Sequence, residues 1–108
     1  MSSSQILKGI LEGCLLSIIG KGETYGYEMI EKLNDYGFSM VKEGSIYPLL
    51  LRMKKEGLVA THQKPLPSGG PKRKYYTLTE TGEKELIEFK QRWDAVSKSV
   101  DRLLEEEG

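Results

Sequence analysis

The residues best equipped for chemistry in this sequence are cations set near aromatic rings. Arg52, Lys54 and Lys55 form one run, Lys64 stands alone, and Lys72-Arg73-Lys74 leads directly into Tyr75-Tyr76. Ammonium and guanidinium groups neutralise phosphates, and the planar fork of an arginine can also bond a guanine edge bidentately. Residues 42–78 hold eight Lys/Arg against two Asp/Glu, although the 108-residue chain as a whole is balanced at 16 and 16. Position makes that balance: residues 1–78 carry eleven basic against seven acidic groups, and residues 79–108 five against nine. The basic stretch is the expected phosphate-binding surface.

Other chemistry has little to work with. There is one histidine and one cysteine, and no His/Cys/carboxylate group at metal-ligand spacing, so neither an enzyme nor a metal or other cofactor is expected. Cys14 has no partner for an intramolecular disulfide and reads as core. His62 falls in a strand-like run, where a solvent-facing or backbone-bonded imidazole is expected rather than a general base. Gly69-Gly70 is not followed by Gly-Lys-Ser/Thr, which leaves a nucleotide-binding loop unsupported. The apolar stretch Leu15 to Ile19 is far shorter than a bilayer span, and Met1-Ser-Ser-Ser-Gln lacks the regions of a signal peptide. A cytoplasmic protein with no membrane partner is expected. At 38% hydrophobic and 30% charged residues, the composition is that of a soluble globular fold.

Helices and a hairpin must position the cations. After a polar start expected to fray, Ile6, Leu7, Ile10, Leu11, Cys14, Leu15, Ile18 and Ile19 recur at helical spacing and predict one continuous first helix. Thr24 is the expected cap of a second helix that buries Tyr25, Met29, Ile30 and Leu33. An extended segment from Phe38 to Lys42 then leads to a third helix starting near Ser45, with Pro48 in its first turn and Gly57 as its stop. Two β-like runs, Leu58 to Gln63 and Arg73 to Leu78, flank a Pro/Gly-rich loop and read as a hairpin. Thr79 caps a long last helix with Glu80 and Glu83 in its first turn.

Three helices followed by a basic hairpin is the order of a winged helix-turn-helix, an α+β fold whose third helix enters the major groove. With Ile46, Leu49, Leu50 and Met53 buried, Ser45, Pro48, Arg52 and Lys55 fall on the opposite face. Arg52 is the expected base reader, and Ser45 a phosphate contact at a helix start. Lys64, Lys72, Arg73 and Lys74 form the expected backbone clamp. Solvated surface lysines explain the same residues without DNA.

The last helix spaces Leu86, Phe89, Trp93, Val96, Val100 and Leu103 at 3, 4, 3, 4 and 3, a heptad seam. Packing on the first helix of the same chain would use it, but a two-fold dimer is favoured. We therefore expect residues 1–78 to bind DNA and residues 79–108 to dimerise, within one compact domain. A winged helix serving as a protein-interaction module is the alternative.

The chain resembles the PadR family of bacterial transcriptional regulators, in its short form with a single C-terminal helix. The resemblance is carried by Tyr25-Gly-Tyr-Glu-Met-Ile, by Gly44-Ser-Ile-Tyr-Pro-Leu-Leu with Met53 and Glu56-Gly-Leu-Val, and by Arg73-Lys-Tyr-Tyr-Thr-Leu-Thr-Glu-Thr-Gly. It implies repression from a palindromic operator, a homodimer built by the first and last helices, and release of DNA by an effector. Tyr47 joins the DNA-binding candidates, and Leu7 and Leu11 join the dimerisation candidates. Short members can bind planar, often cationic, drugs between their dimer helices. Leu11, Leu15, Phe89 and Trp93 are the expected wall of such a site for a planar aromatic or cationic molecule, Trp93 offering the indole face that would stack on it.

Overall fold

Glycine breaks the first expected helix in two. A computed structural model describes residues 3–107 and shows α1 over Ser3–Lys8 and α2 over Leu11–Gly20, with a tight turn at Gly9 and Ile10 between them. Glycine is the weakest helix former apart from proline, and here the Ile10 N–H bonds the Leu7 carbonyl at 2.9 Å in place of a helical bond. The expected fraying gives way to helix from Ser3 onward, and Met1 and Ser2 lie outside the described residues.

Thr24 is a strand residue and not a cap. Thr24–Tyr25 forms β1, which pairs antiparallel with β3 (Lys72–Leu78), and β3 pairs with β2 (Val59–Pro65), giving the sheet order β1-β3-β2. Thr24 lies opposite Tyr76, is fully buried, and donates its hydroxyl to Glu28 Oε1 at 2.6 Å. The Thr24 hydroxyl is given to Glu28 instead of capping, and α3 (Gly26–Asp35) begins from an extended Tyr25 without a side-chain cap. Tyr25 is consequently only half-buried, whereas Met29, Ile30 and Leu33 are buried as expected.

The segment after α3 is a turn, not a strand. Gly37 takes φ +104°, its N–H bonds Asn34 O, and the Phe38 N–H bonds Leu33 O, closing the helix with the paired bonds of a Schellman motif. Val41 then folds back into the core at 2% exposure. Next comes α4, Glu43–Lys55, two residues earlier than expected, so Pro48 stands in its second turn and the bond its missing N–H would make to the Gly44 carbonyl is absent. Gly57, at φ +77°, ends α4 by the same motif, with the Leu58 N–H on Met53 O.

The core lies between α2, α3, α4 and the inner sheet face. Leu15, Leu16, Ile19, Met29, Leu33, Ile46, Leu50 and Met53 are all essentially inaccessible. Tyr76 and Val59 close the core from the sheet side, and the alternation of a strand sends Tyr75 to the outer face.

Finally α5, Glu80–Glu107, leaves the body as a 28-residue helix. Thr79 caps it as expected: its Oγ1 accepts the Gly82 N–H at 3.0 Å and donates to the Gly57 carbonyl at 2.6 Å. A methyl group at Gly82 would stand 2.0 Å from the Leu58 carbonyl oxygen, so only glycine lets the helix start this close to the strand. Phe89 packs onto Gly13, and Leu86 onto Gly20, both in α2. Beyond Phe89 the helix projects, and the chain measures 57 × 28 × 20 Å.

Candidate nucleic-acid interface

Helix α4 buries Ile46, Leu50 and Met53 and exposes Ser45, Tyr47, Pro48, Arg52 and Lys55. Its exposed surface has two sides. On one, Tyr47 leans on the start of α3, where a methyl group at Gly26 would meet the Tyr47 hydroxyl at 2.5 Å. A cleft of about 600 Å³ opens there, walled by Tyr25, Tyr27, Glu31, Tyr47, Arg73 and Lys74. It is the place where the wing and α4 share one surface. On the other side Ser45 and Pro48 border a separate groove against Leu7, Lys8 and Leu11.

The sheet presents a ladder of rings and cations to solvent. Tyr25, Tyr75 and His62 lie side by side across β1, β3 and β2. Tyr25 meets Tyr75 edge-on at 5.6 Å between centroids, and His62 stacks on Tyr75 at 6.1 Å. The Arg73 guanidinium lies 3.9 Å from the Tyr25 centroid, and Lys64 Nζ lies 5.1 Å from that of Tyr75. Rings in this position hold the cations by their quadrupoles and limit their rotamers without neutralising them. Burial, seconded by neighbouring Tyr47, pushes the Tyr76 phenol above its ordinary value. It therefore stays neutral beneath the ladder.

Two candidate cations are occupied by carboxylates. Arg52 bonds Glu12 of α2 at 2.7 Å and lies 3.8 Å from Glu56. Lys64 and His62 both contact Glu23, whose carboxyl is held below the usual range by the Lys64 bond first and the His62 bond after it, against some desolvation. His62 is thus neither free in solvent nor bonded to backbone, as expected, but paired with a side chain. Lys55, Lys72 and Lys74 are exposed and make no ion pair among the described residues.

The structure brings Tyr47, Arg73 and Lys74 together, separates them from Ser45 and Pro48, and pairs Arg52 and Lys64 internally. Tyr25, Tyr27, Glu12 and Glu23 were not among the expected site residues. The one sequence signal for the cleft was Gly26 between two tyrosines.

The expected assembly residues also divide. Trp93, Val96, Val100 and Leu103 are 45%, 56%, 46% and 64% exposed. Leu86 and Phe89 are instead half-buried on α2 of their own chain, and Leu7 and Leu11 are buried in its core at 5% each. Leu15 is wholly inaccessible, so it stands behind any effector wall rather than in one. Cys14, expected in the core, is half-buried beside it, and burial raises its thiol pKa. Among the described residues no cluster of three or more His, Cys, Asp or Glu could hold a metal, and no helix is long and apolar enough to cross a membrane.

Comparison with known proteins places this geometry. Residues 15–88 match the model of the transcriptional regulator PadR-like family. The fold is similar to the crystal structure of a PadR-like transcriptional regulator from Bacillus cereus, with TM-score 0.84 and 57% identity over 93% of this chain and 96% of that one. A Streptococcus transcriptional regulator is similar at TM-score 0.81 and 42% identity, over 92% and 96% of the two chains. The negative transcriptional regulator PadR of Bacillus subtilis is 28% identical over 84% of this chain, which spans half of that protein's length.

Proposed function

This chain belongs to the PadR-like family of transcriptional regulators, a family of regulators rather than enzymes, and from that premise we propose that it binds duplex DNA as a homodimer and represses transcription from a palindromic operator. Helix α4 reads bases in the major groove through Arg52, with Tyr47, Pro48, Ser45 and Lys55 on its exposed surface, while Lys72, Arg73 and Lys74 hold phosphates. The carrying observation is the cleft in which Tyr47 of α4 meets Arg73 and Lys74 of the wing. A phosphate there would meet Arg73, already oriented by the Tyr25 ring, with Lys74 beside it.

Residues 79–108 assemble the dimer and residues 1–78 bind DNA, a division supported by the bare apolar row on α5. The description of the Bacillus subtilis relative as a negative regulator supports repression. The half-exposed indole of Trp93 suits a planar aromatic or cationic effector that releases the DNA, with Phe89 beside it. Such a regulator works in the cytoplasm.

The test is binding to duplex DNA across a salt series. Replacing Lys72, Arg73 and Lys74 together is expected to weaken binding to every sequence and to flatten the salt slope by about 0.9 per lost phosphate contact. Arg52→Ala is expected to cost roughly 1–3 kcal/mol on the operator and almost nothing on unrelated DNA. Equal losses on both duplexes would remove Arg52 as the base reader. A salt-insensitive partner contact through the apolar face, without DNA affinity, would favour a protein-interaction module.

A further inference from the structure

Helix α2 is flanked by two carboxylates, and each reaches a cation on a DNA-facing element. At the start, Glu12 accepts the 2.7 Å bond from Arg52 of α4. Just past the end, Glu23 contacts both Lys64 and His62 of β2. The partners stand 39 to 41 residues apart in sequence, so these contacts are created only by folding. Glu23 directly precedes β1, and its contacts with His62 and Lys64 put its carboxylate on the outer sheet face. Its contacts with the side chains of Lys64 and His62 bridge over the central strand β3, in a sheet where β1 and β2 are not neighbours. Arg73, by contrast, rests on a ring, and Lys72 and Lys74 make no ion pair among the described residues. One cation of α4 and one of the wing are thus neutralised, each from an end of the same helix.

We propose that Glu12 and Glu23 are built-in competitors of DNA, standing in for guanine on Arg52 and for phosphate on Lys64 and His62, and that the operator must displace both. This rests on the DNA-binding reading above. A carboxylate offers the same pair of acceptors to an arginine fork as the O6 and N7 of guanine, and it offers a lysine the same negative oxygen as a phosphate. Displacement lowers affinity by the strength of each pair and speeds release by the same route, since the carboxylate is already in place to recapture its cation. The two ends differ in what they oppose. Glu23 opposes every sequence alike, because phosphates are everywhere, whereas Glu12 opposes chiefly the DNA on which Arg52 is used. The depressed carboxyl of Glu23 accords with an anion held by two donors.

The experiment measures parent, Glu12→Gln and Glu23→Gln on an operator duplex and on a scrambled duplex across a salt series, with circular dichroism confirming the fold. Glu23→Gln is expected to tighten both duplexes by about two- to five-fold, the range of an exposed ion pair. It should also steepen the salt slope by up to about one unit as Lys64 becomes available. Glu12→Gln is expected to tighten the operator by a similar factor and the scrambled duplex less. In a Lys64→Gln background the gain from Glu23→Gln should shrink, which separates displacement from a mere loss of negative charge. If the parent binds DNA but both Gln variants bind equally or more weakly, the carboxylates position the cations and do not compete. If the folded parent binds neither duplex, the DNA reading falls and this proposal falls with it.

Discussion

In α4, Ile46, Leu50 and Met53 recur at spacings of four and three and are at most 1% exposed; in the outer half of α5, Trp93, Val96, Val100 and Leu103 recur at three, four and three and are 45% to 64% exposed. The pattern is the same and the outcome opposite. Periodicity identifies which face of a helix is apolar, but not what covers it. In α4 the cover is α2, α3 and the sheet. In α5 the body covers Leu86 and Phe89, whereas the apolar row from Trp93 to Leu103 stays about half exposed or more among the described residues. The first turns of α5 therefore belong to the fold, and the outer turns to assembly in the function proposed above.

The largest test of that contrast changes Val96 and Val100 together to Glu. Burying charge in a seam costs about 3 kcal/mol or more, so the dimer dissociation constant should rise at least about a hundred-fold in sedimentation equilibrium. Both side chains are about half exposed, outside the core, and the far-ultraviolet spectrum should keep its helical and sheet content. A folded dimer of unchanged affinity would break the comparison, because the bare row would then not be the interface.

A smaller effect is expected at the joint between the two regions. Ala in place of Gly ordinarily stabilises a helix by roughly 1 kcal/mol. At Gly13, however, the new methyl would stand 2.3 Å from the Phe89 ring, and displacing the ring costs about 1–3 kcal/mol. Gly13→Ala should accordingly lower stability, whereas in a Phe89→Ala background the same change should raise it. A thermal denaturation cycle reads the reversal, and matching effects in both backgrounds would show that Phe89 does not dock α5 there.

The smallest effect lies wholly within the body. The Glu23 carboxyl titrates below its ordinary value, chiefly through the Lys64 bond. Its contribution to stability is therefore full above the unfolded carboxyl pKa near 4.5 and is lost as pH falls through the lower folded value. Parent and Glu23→Gln should differ slightly in melting temperature at neutral pH and converge as the solution is acidified below that range. A gap that persists at the lowest pH would mean that Glu23 acts by packing, not charge. Dimer affinity should not respond to this change at neutral pH, since Glu23 is remote in sequence and position from the bare row on α5.

By itself the sequence determined what depends on neighbours along the chain. The helical stripe of α4, the alternation that sends Tyr75 and Tyr76 to opposite faces, the Thr79 cap and the concentration of cations in residues 42–78 are all set within a few residues. The matching of Tyr25-Gly-Tyr and Leu78-Thr-Glu-Thr-Gly to one family was legible for the same reason. Local geometry also explains Gly26 and Gly82, but only once the structure shows the Tyr47 hydroxyl and the Leu58 carbonyl that leave no space for a side chain. Tertiary structure alone decided the rest: the strand at Thr24–Tyr25, the cleft that unites Tyr47 with Arg73, and the carboxylates that hold Arg52 and Lys64. A two-residue strand is too short to carry a period, and partners about 40 residues apart leave no mark on the spacing of either one. Where the body grips α5 is set in the same way, by two glycines in α2 that admit Phe89 and Leu86.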